Sequence, residues 1–217
     1  RDKSKTRLSF DYDYVNIADF YTYQAFNGFI GYDLNVDNAN RFRINTIGIN
    51  YLRPNFEARF DSIRNNNEFL RRSFTDQFFT GFLFRDLNFT HIGKPKLGRS
   101  WAFNTNFEIS GAEILGSNQL YNALSSNDKQ FNIGNTNFEQ YVRLQVDLRH
   151  YWQLSNKVTL AHRFNLGIAT PFGPYSQEVP YVKQFAAGGA NSIRAWEIRE
   201  LGPGGFIDTL TINNANR

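Results

Sequence analysis

Cysteine is absent from the 217 residues, which removes disulfides, thiolate nucleophiles and cysteine metal sites together. No apolar run reaches 18 residues, and the mean hydropathy is -0.50. A protein that crosses a membrane as helices is thereby excluded. Membrane-embedded β-strands are not, because their alternating side chains average out as polar. Only three histidines occur, His91, His150 and His162, in separate segments and without HExxH spacing. No metal site is read from them. A nucleophile elbow is missing too, since Ser192 follows Asn191 instead of standing in a GxSxG turn. Gly188-Gly189 lacks the Lys-Ser/Thr of a phosphate-binding loop. Nor is there a block of one charge: 24 Lys and Arg face 20 Asp and Glu, a net +4, with bases interleaved among acids. The expectation is therefore no catalytic residue, no metal, no cofactor and no nucleic-acid partner. The opening Arg1-Asp2-Lys3-Ser4-Lys5 carries no signal-peptide pattern. Like the end at Asn213–Arg217, it reads as an internal boundary.

What the chain does have is aromatic side chains: 22 Phe, 11 Tyr and 3 Trp, or 17%. These favour strands over helices. The clearest pattern has a period of two. Leu8, Phe10, Tyr12 and Tyr14 alternate with Arg7, Ser9, Asp11 and Asp13. Trp101, Phe103, Thr105, Phe107 and Ile109 alternate with Ala102, Asn104, Asn106, Glu108 and Ser110, and Val142–Leu148 alternates against Tyr141–Arg149. Successive strand side chains point to opposite faces, so these are strands with one apolar and one polar surface.

Four more segments read as strands with less regular patterns. Residues 23–34 and 42–52 contain Gly28, Gly31 and Gly48; 77–90 holds Arg85 and Asp86 among phenylalanines; and 157–169 has His162 on its apolar face. About seven strands result. Asp37–Asn40 and Ser155–Lys157 read as turns. Residues 55–72 suggest a short amphipathic helix, and 112–136 a long polar excursion. Two architectures fit this pattern. In a soluble sandwich or barrel the apolar faces meet each other; in an outer-membrane barrel they meet lipid and the polar faces line a lumen. Periodicity does not choose between them.

The segment after the last strand is more specific. Pro180-Tyr181 and Phe185 lead into Gly188-Gly189, then Ile193-Arg194-Ala195-Trp196, and Gly202-Pro203 closes the run. This pattern resembles the bacterial surface antigen (BamA/TamA, Omp85) superfamily of outer-membrane barrels, and the style most resembles members from Bacteroidetes. The resemblance implies an all-β fold: a transmembrane antiparallel β-barrel, here partial, with about seven strands plus the long sixth extracellular loop. Residues 1–217 would then be about strands five to eleven of sixteen, with the loop motif at 179–204, and would form a curved, open sheet in place of a closed barrel.

The same resemblance implies roles for individual residues. Arg194 would reach into the lumen and pair with an acidic or aromatic group beyond Arg217, as a rigid fork of donors suits. Gly188 and Gly189 would permit a tight turn, Ile193 and Trp196 would wedge the tip, and Gly202-Pro203 would turn the chain back. Glu197, Arg199 and Glu200 would form a lumen network. Ala195 departs from the family, which has glycine there. The implied function is outer-membrane protein assembly, insertion or translocation in a Gram-negative bacterium, without covalent chemistry. The implied partners are outer-membrane lipid, unfolded outer-membrane precursors, and periplasmic or lipoprotein accessory subunits. Alternatives are a two-partner secretion pore, the barrel anchor of a lipolytic enzyme, or a soluble β-sandwich binding module.

Overall fold

The computed structural model describes residues 4–17, 21–66, 71, 74–125, 132–133, 136–173, 176–190 and 192–196. It divides into two compact units, Arg1–Gln184 and Phe185–Arg217. The first is built on one antiparallel sheet of eight strands: β1 (Lys5–Ile17), β2 (Tyr21–Asn35), β3 (Asn40–Phe56), β4 (Gln77–Gly81), β5 (Asp86–Ile92), β6 (Arg99–Ser110), β9 (Tyr141–Ser155) and β10 (Val158–Pro171). The short strands β7 (Asn132–Ile133) and β8 (Thr136–Asn137) form a separate ribbon. Helix α1 (Ala58–Asn65) lies between β3 and β4, and α2 (Ala112–Ser125) follows β6.

The order along the sheet is β1-β2-β3-β5-β6-β9-β10, with β4 also on β3. β4 and β5 together occupy one position. β3 pairs β4 through Gly48–Leu52 and β5 through Asn40–Asn45. The four residues Phe82–Arg85 leave the strand between them. The amides of Leu83 and Phe84 are satisfied there by Glu113 Oε1, at 3.2 and 3.3 Å. Arg85 rejoins the ladder, its N–H donating to Asn45 O and its carbonyl accepting from Ile109 N. The alternation expected across 77–90 is interrupted at this bulge.

Cross-strand register shows how the two faces are composed. One row runs Gly31, Asn45, Asp86, Glu108, Arg143 and Ala169. Partners in register share a face, so this face is polar across the sheet. The opposite face carries Leu8, Phe10, Phe26, Ile30, Ile47, Ile49, Leu144 and Phe164, and it is exposed: Phe10 is 78% and Phe164 59% accessible. Contiguous apolar surface of this kind marks an interaction site.

The core sits instead on one end of the polar face. Leu52, Phe79, Tyr141 and Val179 are buried together there. Beside them Phe60 of α1 packs on Tyr21, Phe56 and Phe74, and Tyr181 packs on Phe74.

Two expectations are corrected. The sheet is open, as about seven of sixteen strands would leave it: β1 and β10 lie at opposite ends of the strand order, each paired on one side. The fold class is therefore an open antiparallel sheet with flanking helices, in place of a transmembrane β-barrel, partial or complete, with a sixth extracellular loop. The descriptions β-barrel and transmembrane β-strand are withdrawn with it. The physical reason is that closure requires the outermost strands to exchange hydrogen bonds. A period of two records where side chains point and not which strands meet. Among the described residues no helix is long and apolar enough to cross a membrane. The second correction is α2. Ala112, Glu113, Ile114 and Leu115 start a helix inside what reads as a polar excursion, because Ser and Asn later in it suggest a loop.

Candidate functional site

Glycines prepare the site. Gly48 and Gly81 face each other across β3 and β4, and a Cβ at Gly48 would lie 2.6 Å from Arg85 Cγ. The missing side chains leave a channel along the polar face, and the Arg85 side chain fills it. Arg85 is 1% exposed.

A buried arginine requires a counter-charge and several acceptors. Arg85 Nη2 meets Glu108 Oε1 at 2.6 Å and donates to the Tyr141 hydroxyl at 3.1 Å, while Nη1 donates to Ile109 O at 2.9 Å. Tyr141 in turn donates to Glu108 Oε1 at 2.6 Å. A second cation arrives from the segment after β10: Lys183, in a 3-10 turn at Tyr181–Lys183, donates from Nζ to the same oxygen at 2.7 Å. Burial pushes the Lys183 ammonium below its ordinary value, opposed by the Glu108 carboxylate beside it.

Lys183 is one of several anchors for residues 176–184. Its carbonyl accepts from Arg143 Nε at 3.1 Å. Ser176 Oγ accepts from Gln140 N at 2.8 Å and donates to Glu139 Oε2 at 3.1 Å. Burial raises the Glu139 carboxyl above its ordinary value, and the Ser176 bond partly offsets this. The segment is therefore a strap held over the apolar end of the polar face.

Further along that face, Asp147 receives both Arg149 and Arg163, at 2.8 and 2.9 Å. These two arginines stand directly opposite one another, and like charges so placed need the shared carboxylate. Toward β1, Arg7 donates to Asn45 Oδ1 at 2.6 Å, and Asn45 donates to Asp86. Asn50 donates to Asn27, which donates to Asp13. Hydrogen-bonded polar groups thus run from β1 to β10.

The second unit contains the part of the motif that is described. Gly188 and Gly189 have φ of 100° and 82°, the left-handed region that glycine enters freely. Gly189 N donates to Trp196 O at 2.7 Å, and Trp196 N to Ile193 O at 3.1 Å, which draws the motif into a compact turn. Arg194 is exposed and its Nε donates to Ala190 O at 3.3 Å. Ile193, Ala195 and Trp196 are exposed as well. Glu197, Arg199, Glu200, Gly202 and Pro203 lie outside the described residues.

Arg85, Glu108, Tyr141 and Lys183 are the residues that sequence reasoning does not single out. An arginine amid Phe78–Phe89, and glycines at 48 and 81, are the signals that point toward them. His150 and His162, twelve residues apart in sequence, become direct neighbours on β9 and β10. Among the described residues no group of three or more His, Cys, Asp or Glu is gathered.

Comparison with known proteins gives one family. The Omp85 superfamily domain matches residues 2–210. No curated protein and no solved structure matches the chain.

Proposed function

The chain belongs to the Omp85 superfamily, and on that premise we propose that it takes part in outer-membrane protein biogenesis by guiding unfolded polypeptide along its polar face. The observation that carries this reading is the division of one sheet into two unlike faces. One offers hydrogen-bonding Asn, Gln, Asp and Arg side chains from β1 to β10. The other exposes phenylalanine, leucine and isoleucine. An extended chain meeting the polar face exchanges water for side-chain partners at small net cost. The apolar face is left for an apolar partner. No covalent step is involved; the work is binding and positioning, in the outer membrane of a Gram-negative cell. Within this reading passage of polypeptide is favoured over insertion, because passage requires only the polar face that the structure displays. The asparagine-rich, aromatic composition supports a Bacteroidetes lineage.

Arg194 keeps its proposed role as the latch of the motif segment, with an acidic partner outside this chain. Support comes from its exposed position on a turn made by two left-handed glycines.

The test is photo-crosslinking in cells, with a photoreactive residue in the full-length protein at Asn106 or Gln145 on the polar face, or at Phe10 or Phe164 on the apolar face. Polar positions should capture nascent outer-membrane or secreted polypeptides, and apolar positions should not. Polypeptide adducts confined to the apolar face would overturn the proposal.

A further inference from the structure

His150 and His162 stand directly opposite each other on β9 and β10, on the apolar face. Their Nδ1 atoms share a hydrogen bond at 3.4 Å. The two rings are nearly parallel, at 6°, with centroids 5.6 Å apart, so the Nδ1 edges face each other. On the other side Trp101 lies against the His150 ring at 4.1 Å and 27°, which limits its rotation. His162 is exposed, so the pair is accessible from outside.

We propose that these two imidazoles form a site for one borderline divalent cation of the copper, nickel and zinc class, each giving Nδ1 in its Nε2–H tautomer, so that the ion replaces the hydrogen bond between them. Metal–imidazole bonds are about 2.0–2.1 Å long. Two such bonds spanning 3.4 Å meet at roughly 110°, close to the tetrahedral angle such ions adopt, with the exposed His162 ring turning its lone pair from His150 toward the ion. The neighbours along this face are Trp101, Trp152, Leu148, Leu160 and Phe164. They supply no carboxylate, so hard cations such as magnesium and calcium lack the oxygen ligands they need. Water completes the coordination. Because its ligands lie on adjacent strands, the ion ties β10, the outermost strand of the sheet, to β9.

Calorimetric titration of the full chain, carrying no polyhistidine tag, with Cu2+ and separately with Mg2+ tests the site, together with electron paramagnetic resonance of the copper form. One equivalent of Cu2+ should bind, the spectrum should show coupling to two imidazole nitrogens, and Mg2+ should give no binding. His162→Ala, at an exposed position, should weaken Cu2+ at least tenfold and leave coupling to a single nitrogen. His91→Ala should change neither, since His91 is held by Asn40 at 2.8 Å on another strand. Absence of stoichiometric Cu2+ binding to the unaltered chain would overturn the site. So would Cu2+ binding that survives loss of His162 undiminished, or binding that depends on His91.

Discussion

Glu108 holds Arg85 at 2.6 Å inside the first unit, where the glycine at position 48 leaves the arginine its path. One carboxylate oxygen serves two cations and a hydroxyl, so the cluster should fail asymmetrically.

Glu108→Gln keeps the shape and removes the charge, leaving Arg85 buried beside Lys183 without a counter-ion. The expected loss is about 3–5 kcal/mol, measured by denaturant unfolding of the full chain. Arg85→Met fills the same channel and leaves Glu108 with Lys183 and Tyr141, so it should cost less than Glu108→Gln. At the more exposed Asp147 clamp, Asp147→Asn should cost about 1 kcal/mol or less.

Gly48→Ala places a methyl group 2.6 Å from Arg85 Cγ and 3.0 Å from a Phe29 ring carbon. Overpacking of this kind costs about 1–3 kcal/mol. Gly116→Ala in α2 meets nothing within 4 Å and should stabilise by about 0.5–1 kcal/mol. Thermal unfolding of the two variants should therefore shift in opposite directions.

Glu139 gives a pH dependence of known sign. Its carboxyl is raised in the folded chain, so the folded state binds this proton more tightly than the unfolded one. Its contribution is full below the unfolded carboxyl's ordinary pKa and is lost as pH rises through the folded value. Glu139→Gln still accepts from Ser176 and does not titrate. The variant should be more stable than the parent at pH 7, with the difference vanishing near pH 4, in melting curves recorded across that range.

Lys183 and Arg194 separate two ways of fastening the segment that contains the motif. Lys183→Ala removes the bond to Glu108 and should expose residues 176–184 to limited proteolysis. Arg194→Ala should leave those residues protected, while in the full-length protein it slows passage of client proteins. Equal protease sensitivity in both variants would contradict this division.

The strands were legible because alternation is a property of neighbouring residues. Leu8–Tyr14, Trp101–Ile109 and Val142–Leu148 show it directly, and β1, β6 and β9 form there. The break at Phe82–Arg85 was not legible, since its cause is an arginine drawn to Glu108 through space that glycines on two strands leave open. The cluster itself joins residues from β6, β9, the bulge and the strap, and only strand register brings them together. Openness of the sheet was legible from the strand count, since about seven strands are too few for a sixteen-stranded barrel, and β1 and β10 do lie at opposite ends. The motif at 188–196 was legible as a motif, and its two glycines do take left-handed backbone.

The most direct measurement of the two-faced sheet uses the absence of cysteine from the chain. Single cysteines replace Asn104, Asn106, Gln145 and Asn165 on the polar face, and Phe103, Phe107, Leu144 and Leu166 on the apolar face, in the full-length protein in outer-membrane fractions. Each variant is treated with a water-soluble maleimide, with and without a polypeptide client stalled in passage. Polar-face positions should label readily and become protected when the client is present, while labelling at apolar-face positions stays the same in both conditions. Protection by the client on the apolar face alone, or polar-face labelling indifferent to the client, would contradict the account.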